Sequence, residues 1–309
     1  MVREEAPRIR LGSAQWGAPY GIANRTGPPD DASLRAMLAV AGSRGVDALD
    51  TARAYGSAEA RLGRLAGDGG FDLQTKVTPD LPVASGSHAV GEATRKSVEE
   101  SLAATRREVL DAVLLHRGAH LRACRGAAWR ALRELRESGR IRRIGVSATS
   151  PDEAEAALAA PGVDVVQVAA NAVDRRLAQR GFFARARERG VRVQVRSAFL
   201  QGALLMDPAR LPVHLAPLAP ALRALRACAR GRGVPLPAVL LAAVFRLGAD
   251  EIVIGVETRE QLEESLDLLP VAAALADAAG SPAAPSFPEP PPLPDAVLDP
   301  WRWPRESPG

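Results

Sequence analysis

The sequence predicts an α/β fold: a single-domain (β/α)8 barrel (TIM barrel) followed by a proline-rich C-terminal tail. Eight short segments rich in Val, Ile and Leu are apolar almost throughout, which is typical of parallel strands buried on both faces. Longer amphipathic segments separate them, and this alternation favours a closed barrel over a doubly wound sheet. A chain of 309 residues, 47% of them hydrophobic, is long enough for one domain of this size.

The strands are predicted at residues 9–13, 46–50, 71–77, 111–115, 141–147, 163–169, 191–197 and 251–255. Helices are predicted at residues 32–43, 91–104, 127–138, 152–160, 178–189 and 259–269. Ser150 with Pro151 is a typical helix start, and Gly139 and Gly190 are typical helix stops. The segment from about 198 to 250 departs from the alternation, because an irregular loop precedes two helices at 217–230 and 237–247. We expect the barrel at residues 1–279 and, at 280–309, a tail without a core of its own.

The composition argues against several classes of protein. The 40 basic side chains exceed the 36 acidic ones by only four, and acidic residues interrupt the most basic stretch, 106–143, so nucleic acid is a poor candidate partner. The two cysteines, Cys124 and Cys228, match no metal spacing and are expected to be reduced thiols. No apolar run approaches the roughly 18 residues that span a bilayer, and residues 1–7 lack the apolar core of a signal peptide. We therefore expect a cytoplasmic protein without a membrane partner.

The carboxyl ends of the strands carry the first candidates for chemistry, because active sites of such barrels lie there. Asp50, Lys76 and His116 stand at or next to three strand ends, and Tyr55 follows in the loop after the second strand. Together they suggest a site that handles protons. Only two of the 40 basic residues are lysines. A lysine at position 76, inside an apolar strand, therefore indicates a position where arginine cannot replace the compact ammonium group. A lysine reaching solvent, a tyrosine packed in its loop and a satisfied core histidine are the simpler alternatives.

Several segments in this order resemble the aldo-keto reductase superfamily. They are 49–56 (Leu-Asp-Thr-Ala-Arg-Ala-Tyr-Gly), 75–77 (Thr-Lys-Val), 114–116 (Leu-Leu-His) and 144–147 (Ile-Gly-Val-Ser). Residues 11–17 (Leu-Gly-Ser-Ala-Gln-Trp-Gly) and 196–202 (Arg-Ser-Ala-Phe-Leu-Gln-Gly) are similar to a bacterial branch associated with sugar and polysaccharide metabolism. The resemblance runs from about residue 11 to 269. It implies hydride transfer between a nicotinamide cofactor and a carbonyl or hydroxyl compound, such as a sugar or a biosynthetic intermediate.

The resemblance also implies a role for each catalytic candidate. Tyr55 would be the general acid that protonates the carbonyl oxygen, and the Lys76 ammonium would lower the pKa of its phenol. Asp50 would pair with Lys76 and keep it charged. His116 would donate a hydrogen bond to the carbonyl oxygen and position it.

Further residues would hold the cofactor, again by resemblance. Ser147 and Gln167 would bind the nicotinamide carboxamide, while Arg196, beside Ser197, stands where many relatives place an aromatic side chain that stacks on the ring. The adenosine end would lie near the last strand and the helix after it, at Gly255, Glu257, Arg259, Gln261 and Glu264. NADP(H) is the family default. However, Gly255 and Gln261 stand where many relatives supply cations to the 2′-phosphate, and Glu257 is acidic beside that place, so NAD(H) stays a second possibility.

The substrate is the least specified part of the prediction. Trp16 and Tyr20, just after the first strand, and Trp301 and Trp303, in the tail, are expected to line its pocket, although packing within the loops or at a subunit contact would explain them equally well. The resemblance favours a small carbonyl or sugar-like substrate and no metal. The oligomeric state stays open. A nicotinamide-binding barrel with a regulatory role, or one that runs an elimination or epimerisation, is the alternative to a reductase.

Overall fold

The computed structural model describes residues 6–24, 26–67, 70–278 and 287–304, and within them lies a closed barrel of eight parallel strands. The strands are β1 (Arg8–Gly12), β2 (Ala48–Asp50), β3 (Asp72–Lys76), β4 (Leu110–Leu115), β5 (Ile141–Ser147), β6 (Val165–Ala169), β7 (Arg192–Arg196) and β8 (Glu251–Gly255). Each strand pairs with the next in sequence, and β8 closes the barrel against β1. The predicted (β/α)8 fold is therefore confirmed.

Thirteen α-helices occur in the described residues. They are α1 (Ala14–Gly17), α2 (Asp31–Ser43), α3 (Ala58–Leu65), α4 (Gly86–Thr105), α5 (Ala123–Glu137), α6 (Pro151–Leu158), α7 (Arg176–Gln179), α8 (Phe182–Glu188), α9 (Ala219–Arg232), α10 (Leu236–Phe245), α11 (Arg259–Asp267), α12 (Leu269–Ala278) and α13 (Asp295–Leu298). Short 3-10 helices lie at Val83–Ser85, Gly118–Leu121, Leu200–Leu205, Pro208–Arg210, Val213–Leu218 and Pro300–Arg302. The longer helices cover the outer face of the barrel.

Three helical details differ from the sequence-based expectation. Helix α3 was not expected; it is only eight residues long and contains Gly63, whose Cβ would lie 2.3 Å from the Ala104 carbonyl oxygen on neighbouring α4. Glycine there lets two helices approach closely, although it weakens the helical signal in the sequence. Helix α4 begins at Gly86, five residues before the expected start. The helix expected at 178–189 is divided into α7 and α8, because Gly181 adopts a left-handed conformation with φ 67°.

Part of the proline-rich tail, which was expected to lack a core of its own, packs against the rest of the chain. Val297 and Leu298 on α13 are buried in an apolar cluster with residues of α9, α10 and the preceding loop. Arg176 Nη2 donates to Asp299 Oδ1 at 2.8 Å, and its Nη1 donates to Asp295 Oδ1 at 2.6 Å. These contacts fasten residues 287–304 beside the loop that follows β6. The rest of the predicted tail, 280–286 and 305–309, lies outside the described residues.

The described residues contain no single helix that is both long and apolar enough to cross a membrane. The segments Val213–Arg232 and Leu236–Phe245 satisfy the length and composition criteria only when taken together across a bend of 102°.

Candidate functional site

A buried chain of polar contacts joins Asp50, Lys76 and Tyr55 at the carboxyl ends of β2 and β3. Lys76 Nζ lies 2.6 Å from Asp50 Oδ2, and it also donates to the Thr51 carbonyl oxygen at 3.1 Å. The Tyr55 hydroxyl accepts from the same Nζ at 3.4 Å. The His116 ring meets the Tyr55 ring edge-on, with 6.0 Å between the centroids. The fold thus brings together the four side chains that were predicted from the sequence to form a proton-handling site.

Two glycines fix the loop that carries Tyr55. A Cβ on Gly17 would lie 1.8 Å from the Tyr55 carbonyl oxygen, and one on Gly56 would lie 2.3 Å from the Gly17 carbonyl oxygen. Gly56 also has φ 55°, in the region that favours glycine. The loops after β1 and β2 are therefore in backbone contact, and this contact holds the phenol next to Lys76.

Glutamines hold the second oxygen of Asp50. Gln74 Nε2 donates to Asp50 Oδ1 at 2.7 Å, and Gln167 Nε2 donates to the same oxygen at 3.0 Å. The contacts continue down the barrel axis, because Gln194 Nε2 donates both to Gln74 Oε1 at 2.9 Å and to Glu251 Oε2 at 2.8 Å. All of these side chains are buried. Gln74 and Gln194 were not predicted, although a polar residue within an otherwise apolar strand indicates a side chain that faces the barrel interior.

The electrostatics of Tyr55 differ from the expectation. Burial, followed by the Asp50 carboxylate, raises the pKa of the phenol above its ordinary value, and Arg196 is the cation that opposes this shift. Lys76 does not produce the expected lowering. Its charge is compensated by Asp50 at 2.6 Å, so little net positive charge reaches the phenol. The Tyr55 phenol is thus protonated and uncharged at neutral pH.

Asp50 is ionised at neutral pH, whereas His116 is uncharged. Burial opposes ionisation of Asp50, but Lys76, together with Gln74, outweighs it and lowers the carboxyl pKa. Burial, and then the nearby positive charge of Lys76, lowers the pKa of His116 to about 3. His116 is therefore a neutral imidazole, and its Nδ1 is buried without a hydrogen-bond partner among the described residues. A neutral ring can donate one hydrogen bond without bringing a charge into the site.

An open cleft of about 420 Å³, within the size range of ligand pockets, is lined by Asp50 and Tyr55, whereas Lys76 and His116 do not line it. It is bounded by the ends of β1, β7 and β8 and by the loops that follow β1 and β7. The predicted site residues that line it are Tyr20, Asp50, Tyr55, Arg196, Ser197, Gly255, Glu257, Gln261 and Glu264. Gln15, Asn24 and Gln201 line it as well, and the sequence analysis did not select them. Tyr20 and Gln201 join the two loops, since Gln201 Nε2 donates to the Tyr20 hydroxyl at 3.2 Å.

The three tryptophans expected at the substrate pocket lie elsewhere, which corrects that prediction. Trp16 is completely buried, and its Nε1 donates to the Val256 carbonyl oxygen at 2.8 Å, so it packs the core beneath the cleft. Trp303 packs against His214, with 5.8 Å between the ring centroids. Trp301 is 61% exposed beneath the Arg302 guanidinium. Both therefore belong to the docked tail, away from the lining of the cleft.

Two residues expected at the nicotinamide are turned toward the barrel interior. Gln167 is fully buried and donates to Asp50 and to Gln194, while its Oε1 accepts from Ser147 Oγ at 3.3 Å. Neither Gln167 nor Ser147 lines the cleft in this conformation. Arg196 and Ser197, by contrast, do line it. Arg196 Nη2 donates to the Ala148 carbonyl oxygen at 3.1 Å, and its Nη1 donates to Ser197 Oγ at 3.3 Å.

The far end of the cleft, at β8 and the start of α11, is acidic. Glu257 and Glu264 both line it. Arg259 lies outside the lining and is bound to Glu263, with 2.8 Å between Arg259 Nη2 and Glu263 Oε1. Gln15 lies directly over Gly255, where a Cβ would come within 2.5 Å of the Gln15 amide oxygen. This end therefore offers hydrogen-bonding groups and negative charge.

Comparison with known proteins agrees with the barrel fold. The sequence model of the Aldo/keto reductase family matches residues 8–277. The fold is similar to that of glycerol dehydrogenase from Gluconobacter oxydans, at 21% identity and a TM-score of 0.66, over 91% of this chain and 95% of that one. It is also similar to the holo form of an aldo-keto reductase from Bacillus halodurans, at 20% identity and a TM-score of 0.65, over 85% of this chain and 87% of that one. No curated protein matches the sequence significantly.

Proposed function

The chain belongs to the aldo/keto reductase family, and on this premise we propose that it is an NAD(P)H-dependent reductase of small carbonyl compounds, with Tyr55 as the proton donor. One observation carries the proposal. The contact chain from Asp50 through Lys76 to Tyr55 is complete, and it opens into a cleft large enough for ligands.

The cleft has features that fit an extended dinucleotide. It continues from the catalytic residues along the ends of β7 and β8 to the first turn of α11. Gly255 leaves backbone exposed at this edge, the buried Gly12 adds no side chain to the lining, and Arg196, Ser197 and Gln201 supply hydrogen-bond donors. Gly255, Glu257, Gln261 and Glu264 would hold the adenosine end, and Arg196 and Ser197 would lie near the nicotinamide. Ser147 and Gln167 would reach the carboxamide only if Gln167 released Asp50.

In the proposed reaction the reduced nicotinamide, when bound, supplies a hydride to the carbonyl carbon. Tyr55 donates its phenolic proton to the carbonyl oxygen, and the raised pKa, caused first by burial, keeps that proton in place until transfer. The Lys76 ammonium, 3.4 Å away, then faces the phenolate that remains. Asp50 keeps Lys76 charged and oriented. The neutral imidazole of His116 donates a hydrogen bond that positions the carbonyl oxygen.

The charges at β8 bear on the form of the cofactor. A 2′-phosphate would approach Glu257 and Glu264, while the nearby cation Arg259 is already paired with Glu263. A carboxylate beside the ribose favours a free 2′-hydroxyl. We therefore propose that NADH serves at least as well as NADPH, which departs from the NADP(H) default of the family.

Two measurements test this function. Titration of the purified protein with NADH and with NADPH, followed by tryptophan fluorescence, should give saturable binding with the tighter or equal affinity for NADH. Consumption of the reduced cofactor with a panel of aldehydes, ketones and aldoses should then identify turnover. Binding without turnover of any carbonyl would favour a regulatory or non-redox barrel. Failure to bind either nucleotide would contradict the proposal.

A further inference from the structure

The Arg196 guanidinium lies in the cleft without an acidic partner. It is partly buried at the end of β7, and its hydrogen bonds go to the Ala148 carbonyl oxygen and to Ser197 Oγ, both of which are uncharged. Throughout the described part of the chain, no carboxylate forms an ion pair with it. A guanidinium has five N–H donors in a planar fork, so these two hydrogen bonds leave donors for a ligand.

Several other shielded arginines of this protein are paired with carboxylates, whereas the partly buried Arg226 donates to the Leu205 and Met206 carbonyl oxygens. Arg10 contacts Glu251 at 2.7 Å and Asp72 at 3.1 Å. Arg61 contacts Asp31 at 2.7 Å, and Arg176 contacts Asp174 at 2.8 Å. Withdrawing a charge from water is costly unless an opposite charge compensates it. An unpaired cation facing a cleft is therefore expected to receive its counter-charge from a ligand.

The position of Arg196 indicates where in the cleft a ligand would supply this counter-charge. Arg196 and Tyr55 line the same cleft, and Arg196 opposes the rise in the Tyr55 pKa that burial and Asp50 cause. Two other carboxylates line the cleft, Glu257 just after β8 and Glu264 on α11, and among the described residues neither forms an ion pair. Asp50 is neutralised by Lys76. The cleft thus has an unpaired positive charge at the end of β7 and negative charges after β8 and on α11.

We propose that Arg196 binds an anionic group of the substrate, so that this reductase acts on carbonyl compounds that carry a carboxylate or a phosphate. The inference rests on the proposed function and specifies its substrate class. Both anions match the planar fork of a guanidinium and accept two parallel hydrogen bonds from it. A neutral carbonyl compound leaves the cation uncompensated and binds less well.

Matched substrate pairs test the proposal. We would compare kcat/KM for glyceraldehyde 3-phosphate with glyceraldehyde, and for 4-carboxybenzaldehyde with benzaldehyde, in the wild type and in the Arg196→Met and Arg196→Lys variants. The wild type should prefer the anionic member of at least one pair by about tenfold or more, since charged hydrogen bonds in a partly buried site carry that much discrimination. Arg196→Met should abolish the preference, and Arg196→Lys should keep part of it. Arg35→Met, on the exposed face of α2, removes the same charge and should change nothing.

Binding without turnover provides an independent measurement. Calorimetric titration with inorganic phosphate and with benzoate should detect saturable anion binding to the wild type and to Arg35→Met, but not to Arg196→Met. Binding of phosphate would indicate substrates that carry a phosphate, and binding of benzoate would indicate substrates that carry a carboxylate. If no carbonyl is reduced while anion binding still depends on Arg196, the proposed function fails and the anion site stands.

Two results would overturn the proposal. The first is equal kcat/KM for charged and neutral members of both pairs in the wild type, with no anion binding. The second is a loss of NADH affinity in Arg196→Met with an unchanged ratio between substrates, which would make Arg196 a contact of the cofactor.

Discussion

Replacing Lys76 with methionine should cost this protein much of its stability, because it leaves the Asp50 carboxylate buried without its counter-charge. The two side chains are 2% and 4% exposed, and their charged atoms lie 2.6 Å apart. Breaking one half of such a buried pair costs about 3–5 kcal/mol. The amides of Gln74 and Gln167 still donate to Asp50 and keep the loss toward the lower end of that range.

The loss should also depend on pH, and its sign follows from Asp50. In the wild type, Lys76 outweighs burial and keeps the folded carboxyl pKa below its unfolded value, so this contribution to stability is present at neutral pH and declines in acid. Without Lys76, burial raises the folded pKa above the unfolded value, and stability then declines as the pH rises. The difference between wild type and variant should therefore be larger at neutral pH than in mild acid.

Urea unfolding at several pH values, followed by circular dichroism, measures this effect. Lys96→Met is the matched control, since the only other lysine is 79% exposed and lies 4.0 Å from Glu100. That control should change the free energy of unfolding by less than about 0.5 kcal/mol. The double variant Asp50→Asn with Lys76→Met should recover part of the loss. An equal, small effect of Lys76→Met and Lys96→Met at neutral pH would refute the reasoning.

The remaining predictions concern turnover. Glu257→Ala should raise the ratio of kcat/KM with NADPH to kcat/KM with NADH by roughly three- to tenfold, because it removes a carboxylate at the ribose end of the cleft. Glu108→Ala, at the opposite end of the barrel, is the control for the lost charge. An unchanged ratio in Glu257→Ala would contradict the assignment. The rate of carbonyl reduction should show no inflection near the ordinary histidine pKa of about 6.5, since burial and Lys76 hold the pKa of His116 at about 3. Alcohol oxidation needs the deprotonated phenol and should instead rise with pH into the alkaline range, because burial and Asp50 raise the pKa of Tyr55.

The strands could be predicted because strands buried on both faces consist of nearly continuous apolar residues. The four catalytic candidates followed, since the carboxyl ends of parallel strands converge on one face of a barrel. Helix α3 could not be found in this way, because Gly63 serves a close contact with α4 that lies 41 positions further along the chain, at Ala104. Local propensity carries no information about such a contact.

The side chains that lie elsewhere than expected do so for a shared physical reason. A tryptophan looks the same in the sequence whether it lines a ligand cleft or packs in a core, and this applies to Trp16, Trp301 and Trp303. Only the packing decides, and it places Trp16 beneath the cleft and Trp303 on His214. Gln167 likewise stands at the expected strand end, but a hydrogen bond to Asp50 turns it inward.

The pKa of Tyr55 was the least accessible quantity. The sequence places a lysine near the phenol, yet the net field there depends on how completely Asp50 compensates it and on how deeply the phenol is buried. Both are properties of the assembled site, and together they reverse the expected direction.

The most direct test of the central claim compares the Tyr55→Phe variant with the wild type in two assays, NADH binding and carbonyl reduction. The phenyl ring keeps the shape of the site and its packing against His116, and only the proton donor is lost. The account predicts that NADH binds with nearly the same affinity while kcat for reduction falls by at least about a hundredfold. A variant that reduces carbonyl compounds at a rate close to that of the wild type would show that Tyr55 is not the acid.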